Sequence, residues 1–405
     1  MLVVSKGGDV ATTTKELRLQ NRATVLREIV LRGTVTRGEL AVVTRLSAAT
    51  IANVVAGLLE EGLVREDGTQ PSRGGRPSTV LAVRADGAAM LGVDVGERGV
   101  AVELFDLAMR RLDREFSEVP EREATPDQIR GVLDSAVTKI LDRNPAAAER
   151  VIGIGLGLPG IVEDAGHGPG ALLYAQSLGW DKVRVGDLVD ARGLPVSADN
   201  GAKTLATAER WFGALRGVDD ALVALLGRGV GLAILSDGRL ARGSRSSAGE
   251  WGHTRVAMDG PPCRCGARGC LEAYVGAHAI LERWRDRGAV VEGEGWRALS
   301  SLFDAARDGD AAARQTVDET LEILGVALAN LVNLTNPATV LVGGWVGLLV
   351  MASEAERLEQ HIRKAALRRP GSQFDLGLCR FEGDSVSMGA ALLPLQQLIL
   401  RPRDD

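Results

Sequence analysis

Apolar residues recur at helical spacing between Leu19 and Leu31, with Val25, Leu26, Ile29 and Val30 on one face, and Gly33 stands where such a helix stops. Thr36 can cap a short second helix through Val43. A tight turn from Thr44 to Leu46 then leads to Ser47, a good N-cap for a third. In the third helix Ile51, Val54, Val55, Leu58 and Leu59 form one continuous apolar stripe, ended by Gly62. Its other face carries Ala49, Thr50, Asn53 and Ala56. Small and amide-bearing side chains there let a helix sit deep in a major groove, where Asn can pair with adenine and a methyl can touch thymine. Leu63–Glu66, Asp67–Pro77 and Ser78–Arg84 read as strand, loop and strand, and the loop sets Arg73 and Arg76 among flexible glycines, suited to phosphates or a narrow minor groove. The pattern predicts a winged helix-turn-helix, with Ser47, Ala49, Thr50, Asn53, Arg73 and Arg76 as candidate DNA contacts. Periodicity alone also fits a three-helix bundle with a solvated face.

From Met90 the period changes. Strands are expected at Met90–Val95, Gly99–Phe105 and near Leu112–Val119, then a helix near Pro126–Leu141 and the apolar strand Val151–Leu158. A similar series restarts with strands Asp220–Leu226 and Gly229–Leu235, a turn at Asp237-Gly238, a long helical region and the strand Thr339–Val342. Two α/β lobes of like plan imply a cleft between them. The uncharged stretch from Ile323 to Ser353 is broken by Asn330, Asn333, Asn336 and Pro337 into pieces shorter than the ~20 residues that span a bilayer. It reads as buried helix, turn and buried strand.

Charge sharpens the division. The 405 residues carry a net charge of −5, but residues 1–85 hold 12 Lys+Arg against 8 Asp+Glu, so a head of +4 precedes a body of −9. The basic head favours the DNA-binding reading over the solvated bundle. The N-terminal segment has no long apolar core and no small-residue cleavage site, which points to a cytoplasmic protein with no membrane partner.

Three of the four cysteines fall within eight positions, and His253 precedes them: His253, Cys263, Cys265 and Cys270. Three thiolates and an imidazole fill a tetrahedral Zn2+ shell, and a shell filled by protein is structural rather than catalytic. Cys379 stands alone, as buried thiols do. Glu250 and Glu272 flank the zinc loop, which would bring two carboxylates together; they suit either sugar hydroxyls or solvent. Glycine-rich turns are expected at Val93–Gly96, Gly153–Gly160 and Gly227–Gly231, where backbone amides approach a phosphate or sugar, or where a sheet packs tightly.

Glu250-Trp251-Gly252-His253, followed by Cys263-Arg264-Cys265-Gly266-Ala267-Arg268-Gly269-Cys270-Leu271-Glu272, resembles the zinc signature of the ROK family of bacterial sugar-responsive repressors and sugar kinases. Gly153–Gly160, Asn333–Pro337 with Gly343-Gly344, and Gly389-Ala390-Ala391 fit the same family. The resemblance implies an actin-like, hexokinase-type (ribonuclease-H-like) pair of lobes with sugar in the cleft, and a winged head is what family repressors have and family kinases lack. The domains expected are a DNA-binding head over 15–85, a first lobe over 86–205 completed by about 385–400, and a second lobe with the zinc loop over 206–384. The resemblance assigns sugar contacts to Asn200, Glu250, His253 and Glu272.

The departures point away from catalysis. The family's catalytic aspartate falls on Gly201, and Asp199 is displaced from that position. The first phosphate turn loses its hydroxyl to Arg98 and gains the carboxylate of Glu97, which would repel a phosphate, and the second carries Arg228 and Leu232. A missing base removes ~10²–10⁴ in rate. The expected function is therefore a repressor of carbohydrate-related genes, dimeric or tetrameric to match paired half-sites, that binds operator DNA and responds to a sugar. Lys203 and Arg228 raise the expectation that the effector is a sugar phosphate. The alternative is an ATP-dependent sugar kinase with a regulatory head.

Overall fold

Thr13 opens the first helix, α1 (Thr14–Arg32), through a capping box with Glu16, and Gly33, at φ 74°, closes it. The computed structural model describes residues 13–71, 77–96, 99–119, 124–163, 168–381 and 385–400. A second capping box, Thr36 with Glu39, starts α2 (Arg37–Thr44), and the Ser47 hydroxyl accepts the Thr50 amide to start α3 (Ala48–Glu60). Arg45 makes the intervening turn in the left-handed region at φ 58°, and the axes of α2 and α3 differ by 117°. Ile51, Val55 and Leu58 are buried, with Val54 and Leu59 packed beside them, while Ala49, Asn53 and Ala56 are exposed.

Strands β1 (Thr34–Thr36), β2 (Val64–Gln70) and β3 (Ser78–Val83) form a sheet of order β1-β3-β2. At three residues β1 is too short to register as alternation, and β2 extends four residues into the expected loop. Arg73 and Arg76 lie outside the described residues.

The first large sheet, of order β11-β7-β4-β5-β6, uses β4 (Ala89–Gly96), β5 (Gly99–Asp106), β6 (Arg111–Glu118), β7 (Val151–Leu158) and β11 (Val196–Asn200). Helices α4 (Pro126–Arg143) and α5 (Pro145–Ala148) connect β6 to β7, and a small antiparallel sheet of β8 (Ile161–Glu163), β9 (Leu172–Ala175) and β10 (Trp180–Arg184) is inserted before β11. Helix α6 (Gly201–Phe212) leads to the second sheet. That sheet, of order β14-β13-β12-β15-β16, uses β12 (Ala221–Leu226), β13 (Val230–Ser236), β14 (Arg239–Leu240), β15 (Thr339–Gly343) and β16 (Asp375–Leu378). It is covered by α7 (Glu272–Val275), α8 (Ala277–Asp286), α9 (Gly295–Asp308), α10 (Ala311–Thr335) and α11 (Gly344–Ala365).

The last helix, α12 (Ser385–Leu400), returns to the first sheet. Glycines make that return possible: a Cβ on Gly92 would strike the Ser387 carbonyl, one on Gly155 the Ala390 carbonyl, and one on Gly389 the Thr204 carbonyl. Gly153, Gly155 and Gly157 therefore lie within strand β7 and serve helix packing, which corrects the expectation of a glycine turn beginning at Gly153. The far end of α12 joins the head. Leu392, Leu395, Leu398 and Ile399 share one buried core with Val25, Leu26 and Ile29 of α1, and Trp211 at the end of α6 belongs to it too. Among the described residues no single helix is long and apolar enough to cross a membrane.

Candidate functional site: a cleft beside a three-cysteine, one-histidine cluster

Each large sheet ends in turns that face the other, and between them lies a cleft of about 490 Å3. Asn200, Glu250, His253 and Glu272 all line it. Asn200 sits where β11 becomes α6: its Oδ1 accepts the Ala202 amide at 2.9 Å, capping the helix, and its Nδ2 donates to the Gly160 carbonyl at 2.8 Å. Its side chain is thus fixed before any ligand arrives. Glu272 begins α7, where its Oε2 accepts the Val230 amide at 3.1 Å and its Oε1 lies 3.4 Å from Arg264 Nη2. Glu250 has no hydrogen bond from its carboxylate to any described residue, and burial raises that carboxyl above its ordinary value.

The zinc-type residues close a small hairpin next to this wall. Bridges Arg255 to Cys270 and Pro262 to Arg268 pair its arms, and the Cys263 amide donates to the Ala267 carbonyl at 2.8 Å. His253 Nδ1 lies 3.7 Å from Cys263 Sγ, Cys265 Sγ lies 3.7 Å from Cys270 Sγ, and one ligand atom from each residue falls within 4.8 Å of the others. A tetrahedral Zn2+ with its usual bond lengths sets its ligand atoms about 3.7 Å apart, so the donor set fits in both type and size. His253 belongs to both constellations, and the turn Trp251–His253 also carries the chain on from Glu250.

Gly201 lines the cleft at the first position of α6, and a Cβ there would meet nothing nearer than 3.8 Å. Asp199 does not take its place. It is 1% exposed, outside the cleft wall, with Oδ2 accepting from Arg242 Nη2 at 2.7 Å and Oδ1 accepting the Asn200 amide at 2.8 Å.

The expectation of a cationic cleft is corrected. Lys203 is not on the wall: its buried Nζ donates to the Ser246 carbonyl, and burial holds the amine below its ordinary value. Arg228 lies 3.3 Å from Glu294. Neither is among the described residues of the wall, whose acidic side chains are Asp94, Glu250 and Glu272 and whose described basic side chains are Arg114 and His253. The observation that favoured a sugar phosphate is thereby lost. Glu97 and Arg98 lie outside the described residues.

Sequence reasoning missed the aromatic part of the wall: Phe116, Tyr174, Trp296, Trp345 and Phe381. They are scattered along the chain with no shared spacing, so no local signal marks them. It also missed the ties of Asp199 to Arg242 and Lys203 to Ser246, which bind β11 and α6 to the loop ahead of Glu250.

Comparison with known proteins is consistent with this geometry. The chain is 31% identical to the xylose repressor of Caldicellulosiruptor bescii, over 95% of this chain and 98% of that one. Its structure resembles that of a ROK family transcriptional regulator, a homologue of the E. coli MLC protein, with a TM-score of 0.78, 26% identity, and coverage of 95% of this chain and 97% of that one. It also resembles a ROK family glucokinase from Streptomyces griseus in complex with glucose and AMPPNP, with a TM-score of 0.60 and 29% identity; there the match covers 76% of this chain and 100% of the kinase. The ROK family model matches residues 90–397, so with the cleft, the His-Cys cluster and a full-length relative in agreement, the chain belongs to the ROK family.

Proposed function

We propose that the protein is a cytoplasmic DNA-binding transcriptional regulator, a repressor of carbohydrate-related genes, whose cleft binds a sugar. The observation that carries this reading is the continuity between reader and cleft. Helix α3 turns Ala49, Asn53 and Ala56 outward while its apolar face enters the core that α6 and α12 share, and Gly201 and Val386, near the starts of those two helices, line the cleft. The repressor relative spans nearly the whole chain, which supports the same reading.

In this reading residues 15–85 form a winged helix-turn-helix, 86–205 with about 385–400 the first lobe, and 206–384 the second. The 117° between α2 and α3 falls in the range of that motif. Ser47, Ala49, Thr50 and Asn53 meet base edges and the first phosphates, with Arg73 and Arg76 on the backbone or minor groove. Asn200, Glu250, His253 and Glu272 hold the sugar. Zn2+ on His253, Cys263, Cys265 and Cys270 would stiffen the turn that carries Glu250 and the entry to Glu272. The protein acts as a homodimer or homotetramer on paired half-sites, and sugar shifts the lobe arrangement so that the two heads no longer match them.

Phosphotransfer is lost in this account: position 201 has no carboxylate, and Arg228 and Leu232 replace two residues of the family's second phosphate motif. The test is selection of genomic DNA fragments by the full-length protein with and without a panel of sugars. Enrichment of a few sites, lost with one sugar, is expected. No enrichment, together with sugar-dependent release of ADP from ATP, would overturn the reading in favour of a kinase.

A further inference from the structure

Five of the chain's fourteen aromatic residues line the one cleft, and two of them are open to it: Trp296 is 40% exposed and Phe116 45%. Trp180, Trp211, Trp251 and Trp284 are each at most 7% exposed. An indole left open on a cleft wall is apolar surface kept in water, unfavourable unless something covers it. Trp345 starts α11, and its Nε1 is buried without an acceptor among the described residues.

The sheet register places Trp345 away from Glu272. Glu272 is anchored on the amide of Val230, the first residue of β13; Val230 pairs with Leu226 of β12, and the adjoining Leu225 pairs with Gly343 of β15, two residues before Trp345. Two inter-strand spacings, roughly 10 Å, thus separate the Glu272 anchor from the end of the strand that leads to Trp345. One pyranose ring held at Glu250 and Glu272 does not span that distance. Charge narrows the ligand further: among the described residues of the wall, three carboxylates, Asp94, Glu250 and Glu272, stand with one guanidinium, Arg114, which is itself 3.3 Å from the Glu103 carboxylate. Such a wall disfavours nucleotides and sugar phosphates and suits neutral hydroxyls, while flat indoles suit the C–H faces of a sugar ring.

We propose that the cleft binds a neutral saccharide of at least two rings, the first held by Glu250, His253 and Glu272 and the second lying against Trp296 and Trp345. This rests on the sugar-binding reading above and names the size and charge of the ligand. Calorimetry on the full-length, zinc-loaded protein tests it with monosaccharides, their α- and β-linked disaccharides and AMPPNP. A disaccharide is expected to bind at least tenfold more tightly than its monosaccharide. That gain should fall below threefold in Trp296→Ala and Trp345→Ala, with monosaccharide affinity unchanged, and survive in part in Trp345→Phe, which keeps a ring at that position. Equal affinity for one ring and two, or AMPPNP binding that the tryptophan substitutions weaken, would overturn the inference and leave the sugar reading standing. Failure of saccharides of either size to bind would overturn both.

Discussion

Arg22, on the first helix of the head, donates from Nη1 to the carbonyl of Leu398, near the end of α12, at 3.0 Å. The same guanidinium reaches the Ile399 carbonyl at 3.0 Å and the carboxylate of Glu61, which caps the C-terminus of α3. One buried cation therefore ties the end of the candidate reading helix to the end of a helix whose Val386 lines the cleft. Trp211, at the end of α6, adds a second tie, with the Arg27 guanidinium 5.4 Å from the centre of its ring.

Arg22→Ala leaves Glu61 and two helix-end carbonyls without their donor, so a stability loss of about 2–4 kcal/mol is expected in denaturant melts. The more specific expectation concerns communication. Sugar affinity in calorimetry should stay within twofold of the native protein, while the effect of sugar on DNA affinity shrinks. Equal loss of both would mean that Arg22 holds the fold only.

Lys203 supplies a pH signature. Its amine is held below 10.5, chiefly by burial, so between its folded value and 10.5 the unfolded chain binds more protons than the folded one. Folding stability contributed by this group therefore rises with pH across that window. Lys203→Met should lack the rise, so the stability difference between native protein and variant should change in the native protein's favour as pH climbs toward 10.5. A difference that stays flat would show that the ammonium is not desolvated at the Ser246 carbonyl.

The His-Cys cluster should hold one zinc per chain by metal analysis. Removing it with a chelator should lower the melting temperature and weaken sugar binding, because His253 belongs to both the cluster and the cleft wall. Sugar binding unchanged in zinc-free protein would detach the metal from the effector site.

Gly201→Asp puts a carboxylate at the position where the family resemblance expects the catalytic one. The new Cβ has room, and a carboxylate at the start of α6 is favourable by about 0.3–1 kcal/mol, so the variant should fold and melt no lower than the native protein. It should still release no ADP with any sugar, since Arg228 and Leu232 still replace two residues of the family's second phosphate motif. ADP release would place the whole loss at position 201.

Much of this was legible locally. The caps at Thr36 and Ser47, the stripe from Ile51 to Leu59 and the strand Val151–Leu158 are set by residues within a few positions of one another, and each stands where periodicity placed it. The Cys263-Cys265-Cys270 spacing similarly fixed a compact cluster, because a short hairpin leaves three thiols few other arrangements. What escaped depends on distant pairing. Strand β1 exists only because β3 offers it partners, and whether Gly155 serves a turn or tight packing is decided only when Ala390 is laid across it. Lys203 and Arg228 looked like cleft cations because sequence gives position along a chain but not the direction of a side chain; Ser246 and Glu294, 43 and 66 residues downstream, decide that direction. The aromatic wall is assembled from five separate segments, and only the fold gathers it.

Occupancy of the cleft is expected to change how the head holds DNA. Fluorescence anisotropy of a labelled operator fragment, recovered by the selection above, with full-length zinc-loaded protein and increasing concentrations of the saccharide that binds in calorimetry, measures this directly. Saturation is expected to weaken operator affinity by tenfold or more, a coupling of about 1.4 kcal/mol or greater. Operator binding that stays equally tight while the cleft is saturated would contradict it.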